Sequence, residues 1–375
     1  MGRILEHPPL QDQSMLRVFS FGLLSSFAIL MTGCPAQKPA APTGSTNQSG
    51  TTIPQNHLAA TSSAQNSGIK VAFVSNNPAE FWTLAEAGAR KGEKETGIQL
   101  IFKRPQDGTA ATQKEIIEDL LTQGVKAIAI SVIDPKNQTS FINEIANRVP
   151  VICVDNDAAD SKRRCYMGTA NLQAGRSAGK MVLEAMPEGG KVAIFVGQLD
   201  PVNARERRQG VIDVLEGLAK SEGLRESPDG KKYGKYEVIG TYTDGVNEAK
   251  AKDNAADVLT RYQNEPNLCL VGLWAYNPPA ILGAAADAKR LGKIKIVGFD
   301  EDNATLEGIK KGDVHGTVVQ QPFEFGYQSV LMMAKMAKGA DVAIPKNGII
   351  DIPHREIRKD DAAAFQDELK KLQGK

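Results

Sequence analysis

Lys70-Val71-Ala72-Phe73-Val74 is a short apolar run that leads through the polar loop Ser75-Asn76-Asn77 into a stretch with apolar residues at helical spacing. The alternation returns at Val125-Lys126-Ala127-Ile128-Ala129-Ile130 and continues almost to the end of the chain. A brief β-branched run bounded by turn residues reads as a buried strand, and apolar residues at i, i+3, i+4 read as an amphipathic helix. Strand, helix, strand, helix in regular order gives a parallel sheet with helices on both faces. Strands are expected at 70–75, 98–103, 127–132, 150–154, 191–196, 236–241, 268–274, 294–299, 315–319 and 348–352. So many strands overfill one twisted open sheet, so the fold class is α/β with two doubly wound lobes. Ligands of such sheets sit beyond the carboxyl ends of the strands, which directs attention to the loops that follow them.

A chain of 375 residues, 41% of them hydrophobic, can bury a substantial core, and its length favours two domains. Its 45 basic residues are balanced by 44 acidic ones, which leaves no net field to attract nucleic acid or an anionic membrane. A neutral small molecule is the partner this balance suits. Four cysteines are too few for a disulfide framework. Cys153 and Cys165 bracket one loop closely enough that pairing stays open, whereas Cys269 lies mid-strand and reads as a small buried hydrophobe.

Ahead of the first strand, Arg17 precedes the apolar run Val18 to Met31, which is too short to span a bilayer but suits a signal-peptide core. It ends in Met31-Thr32-Gly33-Cys34, which resembles the bacterial lipobox and implies cleavage after residue 33 with lipidation of Cys34. Met15-Leu16-Arg17 has the character of a signal start that Met1 to Ser14 lacks, so Met15 is an alternative first residue. Residues 34–68, rich in Pro, Gly, Ser and Thr, hold too few large apolar side chains to offset ordering by burial. They are expected to form a disordered tether reaching roughly 30 Å. The expected location is therefore the cell envelope or periplasm, with the membrane met only through lipid.

The strand-end loops share one chemistry. They carry Ser75, Asn76, Asn77 and the pair Phe81-Trp82; Asp155; Asn203 and Arg205; Asp244; Tyr276 and Asn277; Asp300; and Gln320. Carboxylates, amides, a guanidinium and flat rings suit a polyhydroxylated ligand, whose hydroxyls need paired donors and acceptors and whose C–H faces need apolar walls. As a catalytic set they are poor. Only His315 and His354 lie within the predicted domain, and no nucleophile elbow, phosphate loop or clustered Cys/His ligands occur. Asp155 with Asp157 lacks the glycine and final glutamate of a calcium loop, so neither metal nor cofactor is expected. Plainer readings exist for each residue: Asp300 as a helix N-cap, Phe81 and Trp82 as packing, Asn203, Asp244 and Tyr276 as turn chemistry.

Four stretches, Val74-Ser75-Asn76-Asn77-Pro78-Ala79-Glu80-Phe81-Trp82, Ala204-Arg205-Glu206-Arg207-Arg208-Gln209-Gly210, Val297-Gly298-Phe299-Asp300 and Val319-Gln320-Gln321-Pro322, carry a resemblance in order and spacing. From about 69 to 352 the chain is similar to the ribose-binding subgroup of periplasmic sugar-binding proteins, which shares its fold with the ligand domains of LacI-type repressors. The resemblance implies a type I periplasmic binding protein fold, two lobes joined by a three-crossing hinge. It also implies a monomeric substrate-binding protein that delivers a monosaccharide or polyol to an ABC permease and its ATPase. By the same resemblance Phe81 and Trp82 flank the sugar ring and Asp155 takes its hydroxyls, with Arg205, Asn277 and Asp300 contributing from the other lobe, Gln320 near the hinge and Ser75 as a further contact. Ala79 stands where ribose binders carry asparagine, Asn156 where they carry arginine, and Val246 about where a third aromatic falls, departures that point away from ribose itself.

The N-terminal lobe is expected from 69–170 plus 322–349, and the C-terminal lobe from 171–321 plus 350–375, with crossings near Thr169-Ala170, Gln320-Gln321 and Ile349-Ile350. The helix Asp360 to Leu372 reads as a polar appendage on the C-terminal lobe. A sensor that presents its ligand to a signalling receptor, or an autoinducer-binding protein, is the alternative function. A repressor is disfavoured because a signal peptide and tether occupy the place of a DNA-binding headpiece.

Overall fold

The structure, a computed structural model, describes residues 68–374, all within one compact unit. The expected signal peptide, Cys34 and all but the last residue of the tether lie outside the described residues.

Two sheets organise the chain. The first is built from β1 (Lys70–Val74), β2 (Gln99–Lys103), β3 (Ile128–Ile130), β4 (Val151–Val154), β5 (Tyr166–Gly168) and β12 (Ile349–Asp351), in the order β12-β5-β4-β3-β1-β2 and parallel throughout. Its inner strands β1, β3, β4 and β5 are buried on both faces, hence their nearly unbroken apolar sequences. The helices α1 (Phe81–Thr96) and α9 (Pro322–Ala337) pack against each other and, through Trp82, Ala89, Phe325 and Val330, share one apolar cluster with Val71 and Phe73 of β1. On the opposite face Ile117 and Leu120 of α2 (Ala110–Thr122) and Ile142 and Ile145 of α3 (Pro135–Ala146) share a cluster with Ala72, Val74, Ile128 and Ile130.

The second sheet repeats the plan. It contains β6 (Gly190–Val196), β7 (Lys231–Tyr233), β8 (Tyr236–Thr243), β9 (Leu268–Gly272), β10 (Lys295–Phe299), β11 (Gly316–Val319) and β13 (Arg355–Ile357), in the order β13-β11-β10-β9-β6-β8-β7. Only the edge strands β13 and β7 run antiparallel. The helices α4 (Asn171–Ala185) and α5 (Val202–Leu215) contribute to the core on one face. The other face is covered by α6 (Glu248–Arg261), α7 (Asn277–Asp287), α8 (Asn303–Lys311) and the terminal α10 (Lys359–Leu372).

All ten expected strands are present, and three short ones, β5, β7 and β13, join them. The third crossing needs correction. Because β12 pairs in register with β5 of the first sheet and β13 with β11 of the second, the chain changes lobes at 352–354 rather than at Ile349-Ile350. Cys153 and Cys165 are both free, for a reason visible in the ladder. Cys153 lies opposite Tyr166, so the adjacent Cys165 points to the other face of the sheet, and the two thiols belong to different cores.

Candidate functional site

Beyond the carboxyl ends of both sheets lies a cleft of about 350 Å³, lined from the first lobe by Asn76, Asn77, Ala79, Phe81, Trp82 and Asp155, and from the second by Asn203, Arg207, Trp274, Ala275, Tyr276 and Asp300, with Gln320 at a crossing.

Arg207 is the electrostatic centre. It sits on α5, 1% exposed, with its guanidinium 4.0 Å above the ring of Phe299. Its Nε donates to Asn171 Oδ1 (2.9 Å) and its Nη1 to the carbonyl of Leu273 (3.0 Å). Nη1 also lies 3.9 Å from Asp300 and Nη2 3.9 Å from Asp155. These spacings are ion pairs too long for direct hydrogen bonds, so a ligand hydroxyl at the apex of either triangle can meet carboxylate and guanidinium together. One guanidinium faces two carboxylates, a net charge of −1 when all three are ionised. Burial accordingly pushes Asp155 up to about 7 against the pull of Arg207, with Asp300 adding to the rise. Asp300 is likewise raised by burial, opposed by Arg207 and by its hydrogen bond from Gln320.

Backbone geometry aims both carboxylates. Asp155 and Asp300 immediately follow β4 and β10, and both adopt left-handed conformations, at φ 64° and 65°. Asp155 is steadied by Ser131 Oγ (3.3 Å) and Asn156 Nδ2 (3.0 Å), and Asp300 by Gln320 Nε2 (2.8 Å). The plain alternative for Asp300 fails, because the N-cap of α8 is Asp302. Asp157 pairs with Arg163 instead of joining Asp155. Among the described residues no cluster of three or more His, Cys, Asp or Glu could hold a metal.

Two perpendicular aromatic pairs form the walls. Phe81 and Trp82 meet edge to face at 5.1 Å in the first lobe, and Trp274 and Tyr276 at 6.4 Å in the second. The Trp82 indole donates to Asn76 Oδ1 (3.2 Å). Gly197 makes room for the second pair: a Cβ there would lie 2.0 Å from the Trp274 ring.

The expected residues divide three ways. Phe81, Trp82, Asp155, Asp300, Gln320, Asn203 and Tyr276 all line the cleft. Ser75, Asn277 and Asp244 are buried but stand behind the lining. Ser75 donates to the Asn77 carbonyl (2.8 Å), and Asp244 accepts from the Tyr276 hydroxyl (2.6 Å) and from Asn277 Nδ2 (3.0 Å), while Asn277 Oδ1 accepts from the Trp274 backbone N–H (3.0 Å). They position the loops. Arg205 requires correction: it is exposed, and Arg207 occupies the cleft. The periodicity of α5 explains why, since Ala204, Arg207 and Val211 recur at i, i+3, i+7 on the buried face and Arg205 falls on the other. The expected strand 268–274 hides Trp274, whereas β9 ends at Gly272 and leaves the indole in the loop.

Known proteins share this frame. Residues 69–341 match the family described as periplasmic binding protein domain. A ribose import binding protein of Haemophilus influenzae is 27% identical over 292 residues, 76% of this chain and 91% of its own length. A ribose import binding protein of Bacillus subtilis is 26% identical over 305 residues, covering 80% of this chain and 87% of its own. The crystal structure of an ABC transporter solute-binding protein from Burkholderia graminis, in complex with D-arabinose, superposes with a TM-score of 0.69 at 28% identity over 80% of this chain and 97% of that one. With a family match across well over half of its length, and with two doubly wound sheets meeting at a common cleft, the chain belongs to the periplasmic binding protein family.

Proposed function

We propose that the chain is the substrate-binding protein of an ABC-type sugar importer, and that Asp155, Arg207 and Asp300 hold a neutral monosaccharide or polyol between the two aromatic pairs. One observation carries the reading. Of the buried side-chain polar atoms without a partner, four are on the cleft wall: Asn203 Oδ1, Gln320 Oε1, Arg207 Nη2 and Trp274 Nε1. Two accept and two donate. A buried polar atom left unpaired costs about 1–3 kcal/mol, so four around one cleft suit a ligand offering both donors and acceptors. Sugar hydroxyls do both, whereas an anion would meet the surplus carboxylate and an apolar ligand would satisfy none of the four. The names of the relatives, ribose importers and an arabinose-bound transporter component, support the same assignment.

Selective closure follows from where the charges sit. Asp155 belongs to one lobe and Arg207 to the other, and the Asn203 N–H donates to Asn156 Oδ1 (3.3 Å) across the same gap. A ligand that touches both lobes binds the closed form better and shifts the population toward it, giving a permease a shape to read. Lipid anchoring through Cys34, with residues 34–68 as tether, is the proposed mode of membrane attachment, and the protein is proposed to act as a monomer.

A thermal-shift screen of the full chain against pentoses, hexoses and inositols tests the assignment. At least one neutral sugar should raise Tm by several degrees, as binding to the folded state alone requires. A screen in which only charged compounds raise Tm would remove it.

A further inference from the structure

Outside the inner cleft the structure opens into a larger groove of about 1,710 Å³, which shares Ala79, Phe81, Ala275 and Tyr276 with the inner lining. The two spaces therefore adjoin, with Phe81 and Tyr276 on the wall between them. Glu301, at the foot of the groove, is 9% exposed, and its Oε2 has no hydrogen-bond partner. Its neighbours on either side are committed: Asp300 faces Arg207 in the inner cleft, and Asp302 caps α8. Glu301 alone keeps a buried carboxyl oxygen without a partner.

We propose that this groove is a second subsite, which takes a further sugar ring joined to the one in the inner cleft, with the Glu301 carboxyl as its principal partner. The proposal rests on the sugar reading of the inner cleft. The wall chemistry favours a hydroxylated unit over a bare cation, because it mixes acceptors with donors. Glu80, Glu248 and Asp302 supply the former, and Lys252, Gln366 and Lys370 the latter. Both lysines are already paired with carboxylates off the lining, Asp287 at 2.7 Å and Asp367 at 3.0 Å, so neither neutralises Glu301. Burial, together with the charges of Asp300 and Asp302, drives the Glu301 carboxyl well above its ordinary range. The unpaired Oε2 is left to accept from a sugar hydroxyl. One wall of the groove comes from α10, beyond the residues that match the family, and Leu84 of α1 shares an apolar cluster with Phe365 and Leu369 of that helix. The tail helix thus extends the binding surface beyond what two lobes alone would offer a single ring.

The test is calorimetry on the full chain with matched ligands: D-xylose against xylobiose, D-glucose against cellobiose and maltose, and D-galactose against lactose. At least one disaccharide should bind tenfold or more tighter than its parent monosaccharide. Glu301→Leu, which keeps the side-chain bulk and removes both oxygens, should erase most of that gain. Ala249→Phe, which narrows the groove from an exposed position on α6, should erase it too without moving the parent's affinity by more than about threefold. The subsite is overturned if monosaccharides bind and every disaccharide binds more weakly than its parent, or if the gain survives both substitutions. If no sugar of either length binds, the sugar reading of the inner cleft itself falls, and the subsite with it.

Discussion

The Asp155 loop and the Asp300 loop are the same device built twice. Each follows a strand that is flanked by equivalent neighbours, β5 and β3 around β4, β11 and β9 around β10. Each aspartate donates its N–H to the next strand over, Asp155 to Met167 (3.0 Å) and Asp300 to Val318 (2.7 Å), and each sits at the same left-handed φ. The difference lies in what surrounds them. The Asp155 carbonyl accepts from the Tyr166 hydroxyl (3.0 Å) and its carboxylate from Ser131 and Asn156, whereas the Asp300 carbonyl accepts from Thr317 Oγ1 (2.8 Å) and its carboxylate from Gln320. Only the second lobe supplies an arginine, and that arginine faces both carboxylates. Topology delivers two symmetric acids; a single unsymmetric cation turns them into a clamp.

Removing that cation should have the largest effect. Truncating one partner of a buried charge pair costs about 2–5 kcal/mol, so Arg207→Ala is expected to weaken sugar binding by roughly 30-fold to several thousand-fold in calorimetry. Arg205→Ala, on the exposed face of the same helix, should stay within about twofold of wild type. Next come the two acids. Asp155→Asn and Asp300→Asn should each lose roughly 10- to 150-fold in affinity, about 1.5–3 kcal/mol for a hydrogen bond to a charged group. They should part company in solution scattering. Asp155→Asn weakens a contact between the lobes and should leave the saturated protein more open, while Asp300→Asn weakens one within a lobe and should not. Equal scattering from the two variants would break the distinction drawn between them. Trp274→Phe, which keeps the ring wall and deletes one indole donor, should cost about threefold to tenfold.

The last expected effect is on stability. Burial raises Asp155 to about 7, so the folded chain holds that proton more tightly than the unfolded one, whose carboxyl titrates near ~3.9. Stability from this group is therefore fully present below the unfolded value and lost as pH rises toward about 7. Without sugar, the Tm of Asp155→Asn relative to wild type should climb between about pH 4 and pH 7 and level off above that. A difference that stays flat, or falls, would show that Asp155 is ionised at little cost.

The repeated frame was legible in the sequence because its parallel strands, buried on both faces, are written as unbroken apolar runs such as Val71–Val74 and Val151–Val154. The strands that escaped are three residues long, too short for any period; β13 is an antiparallel edge fixed by β11, far away in the chain, and β7 is an edge closed by a tight turn onto β8. At the site the acids were readable because a strand end followed by aspartate marks the ligand side of such a sheet. Arg207 was not singled out, since three arginines in four residues look alike until the helix phase is fixed by Ala204 and Val211. Ser75, Asn277 and Asp244 share the polarity of true lining residues, and only coordinates reveal that their hydrogen bonds are spent on neighbouring loops.

The chain has two tryptophans, and both stand on the cleft, Trp82 on the wall of the first lobe and Trp274 on that of the second. Titrating the full chain with whichever neutral sugar stabilises it, while following tryptophan emission, therefore reads the proposed ligand contacts from both sides at once. The account predicts a saturable emission change in wild type that disappears in Arg207→Ala at the same sugar concentrations. An unchanged emission at saturating sugar, or an undiminished response in Arg207→Ala, would contradict it.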